Sequence, residues 1–217
     1  MIRHFLASAQ QRKDEVPNQE LAMAIVLGKH PNACSELIDL LYDKDKKIQQ
    51  DSIKVLYEIG EQQAELITPH LSHFLTLLNS NNNRMVWGAM IALHKITLHD
   101  PTIIYPHLPQ ILETIDKGSV ITKDNGVFIL IALAMHKNYT DTAQVLLLEQ
   151  IKKAAINQLP MYAERSIHCW TGSYKKSFGN TLQERFPELG KASREKRIEK
   201  ILNKILNTPT TTKKSIR

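Results

Sequence analysis

Apolar residues recur along this chain at intervals of three and four, the period of a helix that turns one face inward. Ile53, Leu56 and Ile59 form one such series, Met90, Leu93 and Ile96 a second, and Val127, Leu130 and Leu133 a third. No segment shows the strict apolar–polar alternation that a half-buried strand needs. The pattern predicts helices near 2–13, 18–28, 32–42, 46–59, 69–79, 84–98, 106–116, 122–137, 141–157, 161–171, 181–186 and 193–206. The breaks between them carry suitable chemistry. Asp45, Thr68 and Asp100 are placed to cap N-termini by accepting bonds from free backbone N–H groups. Pro69 and Pro101 follow as first helical residues, where the missing N–H costs nothing. Gly28, Gly60 and Gly118 stand where helices should end, a position that favours the left-handed conformation.

Displacing the sequence by 37 residues brings these series into register. Ile67-Thr68-Pro69-His70-Leu71 falls on Ile104-Tyr105-Pro106-His107-Leu108, and a further step of the apolar series lands on Glu164, Ile167 and Trp170. Of those twelve apolar positions only Glu164 breaks the pattern. A fixed period means that one supersecondary unit is reused, and a lone helix hairpin cannot bury its apolar face, so neighbouring units must stack. The expected fold is all-α, a right-handed α-solenoid (α-α superhelix) of about five antiparallel helix pairs. The expected organisation is a repeat domain over 1–190, with its best repeats at 45–81, 82–118 and 119–155, then a basic amphipathic capping helix over 191–207. Residues 208–217, TPTTTKKSIR, read as a disordered tail by composition.

Two stretches carry a family resemblance. Arg84 to Ile96, RMVWGAMIALHKI, resembles the second helix of a HEAT repeat, with Ala89, Ala92 and Leu93 on the small and apolar positions. Tyr105 to Ile115, YPHLPQILETI, resembles the first helix, including its proline. The likeness covers roughly residues 18–171 and is to the ARM/HEAT superfamily, not to a subfamily. In the family an Asp in the turn and an Arg opening the second helix build a ladder; Asp45 fits, but Gln49 and Val86 occupy the Arg position. The tetratricopeptide spacing fits less well. What the resemblance implies is architecture, and by analogy a concave surface of second helices that grips a protein segment.

Charge changes the picture at one end. Residues 1–170 carry 16 Lys or Arg against 18 Asp or Glu, while 171–217 carry 12 against 4. The overall +6 therefore belongs to the C-terminal fifth. The longest run free of strong polar groups, Val127 to Met135, is about half the roughly 20 residues of a membrane-spanning helix and reads as a buried helix. The first fifteen residues offer no long apolar stretch, so no secretory signal is expected. Cys34 and Cys169 lack the paired spacing of a zinc or redox motif and read as reduced thiols of a cytoplasmic protein.

Candidate chemistry is sparse. The eight glycines include no phosphate-cradling motif, and a nucleophile, base and orienting acid cannot be assembled by spacing. His70 and His73 share a helix face, yet no third ligand is predictably placed beside them. No catalytic, cofactor-binding or metal-binding residue is nominated, and the chain reads as non-enzymatic. Trp170 lies on the apolar register and reads as core, and Gly88 reads as a site of close helix packing. Trp87, Lys95, Lys137 and Arg165 are the candidate contacts of a concave face. In the last helix Ile198, Ile201, Leu202, Ile205 and Leu206 form an apolar stripe beside a basic face. Lys175, Lys176, Arg185, Lys191, Arg194, Arg197, Lys200 and Lys204 are candidate contacts to nucleic acid or an acidic partner. The leading expectation is a protein-interaction scaffold with a protein partner. The alternative is a nucleic-acid-binding helical repeat, and a weaker one is a DNA glycosylase-like repair enzyme, whose active-site aromatics and acid find no match in this chain.

Overall fold

The computed structural model describes residues 2–206, so the segment expected to be a disordered tail lies outside the described residues. All regular structure among the described residues is helical. The chain forms two compact units, Met1–Ala132 and Leu133–Arg217.

The first unit opens with a 3-10 turn at Ile2–Phe5 and continues as α1 (Val16–Val26), α2 (Ala33–Leu40), α3 (Lys46–Gln62) and α4 (Leu71–Leu77). Then come α5 (Asn83–His99), the single turn α6 (Pro101–Ile104), α7 (Leu108–Lys117) and α8 (Val120–Ala134), which ends just past the unit. Short and long helices alternate. α3 packs on α1, α2 and α5, and α4 packs on α5. The core consists of the predicted series: Ile53, Leu56, Ile59, Leu93, Ile96 and Leu130 are fully buried, and Val127 and Met90 join them.

Close approach between these helices depends on two glycines. A Cβ on Gly88 would lie 2.6 Å from Cγ1 of Ile53, so α5 reaches α3 there only without a side chain. One on Gly126 would meet Cγ1 and Cδ1 of Ile115, which fixes the approach of α8 to α7. Helix starts follow the same period. Asp45 accepts the N–H of Lys47 at the head of α3 (2.8 Å), and Asn82 accepts that of Arg84 at the head of α5 (3.1 Å). Ser119, a further period on, receives the N–H of Thr122 near the head of α8 (3.4 Å).

Several local expectations are corrected. Residues 2–13 form a 3-10 turn followed by further turns, not a continuous helix. Gly60 lies inside α3, where a Cβ would come within 2.5 Å of Ile67, so its smallness serves packing and not termination. Gly118 follows α7 with φ −82°, an ordinary extended conformation, and only Gly28 of the three has positive φ. Thr68 does not cap; its hydroxyl donates back to the carbonyl of Ala64 (2.9 Å).

The second unit contains α9 (Thr140–Lys153), α10 (Leu159–Ser166), α11 (Gly172–Arg185) and α12 (Ala192–Leu206). α11 packs on α9 and α12, and α10 packs on α12. The chain was expected to be helical only over 181–186 in this region. It is helical from Gly172, because Phe178 and Leu182, four apart, are buried and give α11 an inward face. Trp170 is buried as expected, stacked on Phe178 at 4.6 Å, with its indole N–H donating to Ser166 (3.3 Å). Ile198 and Ile201 bury the apolar stripe of α12.

Candidate functional site

The faces of α3 and α5 turned away from α2 and α4 carry side chains that the core does not absorb. Lys54, Ile91 and Phe128 hold equivalent positions one period apart, as do Tyr57, His94 and Ile131, and ring contacts of Tyr57 with Trp87 and of His94 with Phe128 link α3 to α5 and α5 to α8 in this row. Tyr57, Ile91, Phe128 and Ile131 are half-buried, as is Trp87 one turn earlier. Each thus keeps apolar surface open to solvent on a rigid helix.

Charges are woven into this row. Lys54 Nζ sits 5.0 Å from the centre of the Tyr57 ring, and the Arg84 guanidinium 5.2 Å from that of Trp87. The two rings lie 6.1 Å apart. Cations over aromatic faces are attracted by the ring quadrupole, so each cation is held in place by its own helix. Between the cations lies the carboxylate of Glu15, one oxygen 3.0 Å from Lys54 and the other 3.0 Å from Arg84. Glu58, one turn beyond Lys54, completes the group at 2.6 Å. Burial works against the charge of Lys54, but the bonds to Glu58 and Glu15 outweigh it and hold the ammonium charged well above the usual lysine range. The contact with Lys54, reinforced by Arg84, keeps Glu15 below the usual carboxylate range. Nε of Arg84 is buried with no hydrogen-bond partner among the described residues.

The four residues nominated for a concave face divide between the two units. Trp87 stands in the row just described. Lys95 lies on α5 and pairs with Glu61 of α3. Lys137 and Arg165 belong to the second unit and are exposed there. Sequence reasoning missed Glu15, Tyr57 and Arg84, and it did not bring Lys54 into contact with them. Lys54 and Tyr57 could have been reached by stepping one period back from Ile91 and His94, whereas nothing in the sequence placed Glu15 beside them.

Of the basic residues near the C-terminus, three guanidinium groups are engaged within the unit. Arg185 donates to the carbonyls of Ile151 and Ala154 (3.0 and 2.8 Å) and pairs with Glu188 (2.6 Å), so it closes the C-terminal end of α9. Arg194 donates to the Leu189 carbonyl (2.9 Å) and to Asn157. Arg197 holds Glu164 of α10 through two bonds of 2.8 and 2.6 Å. Lys175 is half-buried, and Lys176, Lys191, Lys200 and Lys204 are exposed. Lys196, not nominated from the sequence, is exposed as well; with Lys200 and Lys204 it repeats every four residues along one side of α12.

No group of three or more His, Cys, Asp or Glu among the described residues could hold a metal ion. His73 instead lies 3.1 Å from the Tyr42 hydroxyl. No described helix is long and apolar enough to cross a membrane.

No protein-family model matches this sequence, and no curated protein matches it either. Solved structures do. A designed armadillo repeat protein in complex with the peptide (KR)4 superposes with a TM-score of 0.64 at 16% identity, covering 89% of this chain and 87% of that one. A second designed armadillo repeat protein gives 0.60 at 17% identity, over 94% and 91% of the two chains. An engineered protein gives 0.58 at 17% identity, over 89% and 94%. Likeness at this level of identity speaks for the fold alone: the chain shares the all-α helical-repeat fold of these designed armadillo repeat proteins.

Proposed function

We propose that the chain is a non-enzymatic interaction scaffold, and that the exposed face of α3, α5 and α8 in the first unit takes an extended polypeptide segment. One observation carries the reading: Tyr57, Trp87, Ile91 and Phe128 hold apolar surface half open on packed helices, with Lys54 and Arg84 seated on two of the rings. Rigid aromatic anchors beside fixed charges are the groups that dominate binding energy at protein interfaces. The peptide complex formed by one structural neighbour is compatible with this reading. Capture from extract of the native cells, with the whole chain and with Trp87→Ala and Tyr57→Ala versions, tests it. A protein retained by the parent chain and lost from both folded variants supports the reading; equal retention by all three contradicts it.

A second reading draws on α12. Lys196, Lys200 and Lys204 line its outer side with Arg197 next to them, while Glu195 and Glu199 lie round the helix from this row. Such a row suits the phosphates of a nucleic acid, whose binding would weaken steeply between about 50 and 200 mM salt. Because Ile198 and Ile201 are core residues, the test is charge neutralisation and not truncation. Lys196→Gln/Lys200→Gln/Lys204→Gln should remove salt-sensitive binding of labelled duplex DNA or RNA if this reading holds. Unchanged binding, or none by the parent chain, rejects it.

A further inference from the structure

The carboxylate of Glu15 is an internal occupant of a site that the rest of the cluster builds. Glu15 precedes α1 and makes no capping bond with its side chain. Asp14 does that work, accepting the N–H of Val16 (3.1 Å) while Arg12 grips it through bonds of 3.0 and 2.7 Å. The turn over 12–14 is thereby fixed, and the Glu15 side chain is free to reach over α3 to a residue of α5 that lies 69 positions away in sequence. The carboxylate is still about half exposed where it sits, so it lies on the surface row and not in the core.

Charge balance points the same way. Lys54 and Arg84 bring two positive charges and Glu58 supplies one negative. Only with Glu15 in place is the group neutral. With Glu15 swung out, a net positive charge would remain beside two aromatic rings, with Lys54 paired to Glu58 alone and the buried Arg84 Nε without a partner among the described residues. Charged groups in such a position are costly without a counter-ion. The vacated place has the size and donor set for one carboxylate.

We infer that Lys54, Arg84, Tyr57 and Trp87 form a carboxylate-binding site on the first unit, that it takes a Glu or Asp side chain of an extended partner segment, and that Glu15 occupies it in the free protein. This rests on the peptide-binding reading above and adds the chemistry of its anchor. The partner must displace Glu15, so its apparent affinity falls by the fraction of time that the site stands open.

The test uses the whole chain and two labelled peptides, one alternating serine with glutamate and one alternating serine with lysine, followed by fluorescence anisotropy. Glu15→Gln should bind the glutamate peptide about tenfold more tightly than the parent chain, a change equivalent to about 1.4 kcal/mol. Adding Arg84→Gln to Glu15→Gln should abolish that gain, and the lysine peptide should gain nothing from either. Circular dichroism confirms that both variants fold; the Glu15 side chain is about half exposed and that of Arg84 about a third. An unchanged affinity for the glutamate peptide in Glu15→Gln, or an equal gain for the lysine peptide, overturns the inference. If the Trp87→Ala capture experiment nevertheless loses its partner, the scaffold reading survives and only the anchor chemistry is wrong.

Discussion

Leu93 is fully enclosed where α5 meets its neighbours. Leu93→Ala should therefore lose about 2 to 5 kcal/mol of stability, through lost transfer energy and the cavity left behind. A chemical denaturation series measures this, and an unchanged midpoint would place Leu93 outside the core. Gly88 tests the opposite fault. Gly88→Ala brings a methyl to within 2.6 Å of Ile53. Overpacking of about 1 to 3 kcal/mol should exceed the roughly 1 kcal/mol gained in helix propensity, so the melting temperature should fall. At this scale the sequence was readable where a residue's role repeats, as at Leu93 in the 37-residue register, and Gly88 was readable as a residue without a side chain in mid-helix beside Trp87. The caps at Asn82 and Ser119 follow from Asp45 by the same step, although the sequence reading did not take it. Gly60 and Gly118 were misread because a glycine near a helix end looks the same whether it supplies a left-handed turn or space for a neighbour, and only the neighbour's position decides.

Helices in the second unit are joined by polar ties that no periodicity announces. Arg185, only 14% exposed, caps two carbonyls at the end of α9. Arg185→Met keeps the aliphatic stem but leaves those carbonyls without their donor, and should cost about 1 to 3 kcal/mol. Urea denaturation should show this as a lower midpoint with unchanged slope. The tie between α10 and α12 is sensitive to pH. The bonds from Arg197 lower the pKa of Glu164, so the stabilisation they bring is complete above the ordinary glutamate range and is lost as pH falls through the lower folded value. Protection of the α12 amides, referenced to the intrinsic exchange rate at each pH, should therefore fall as pH drops below the ordinary glutamate range, and Glu164→Gln should show that lower protection already at neutral pH. Protection that stays constant on acidification, or is unchanged in Glu164→Gln, would contradict the assignment. The long helices were legible because α3 and α5 carry an apolar face and the second half of α8 is apolar throughout. The start of α11 was missed because the GSYKKS stretch is polar, and its helicity comes from what Phe178 and Leu182 bury further along.

Across the whole molecule, sequence and fold separate two properties. The 37-residue repeat specifies helix pairs, and the armadillo-type neighbours share that architecture at about one residue in six. Charge does not follow the repeat. Residues 1–132 carry 12 Lys or Arg against 15 Asp or Glu, and 133–206 carry 13 against 7. The face proposed for a polypeptide lies in the acidic unit and the α12 row in the basic one, although both readings call for an anionic partner. Of the candidate site, Trp87 was legible beforehand; the Glu15–Lys54–Arg84 group was not, because it depends on a loop folding back over helices distant in sequence. The most direct test of the interaction face is a photo-crosslinking residue placed at Ile91, between the Tyr57–Trp87 pair and Phe128, with the same residue at the exposed Ser72 of α4 as control. In native extract the account predicts a discrete protein adduct from position 91 that is absent from position 72. Adducts of equal yield at both positions, or none at 91, would contradict it.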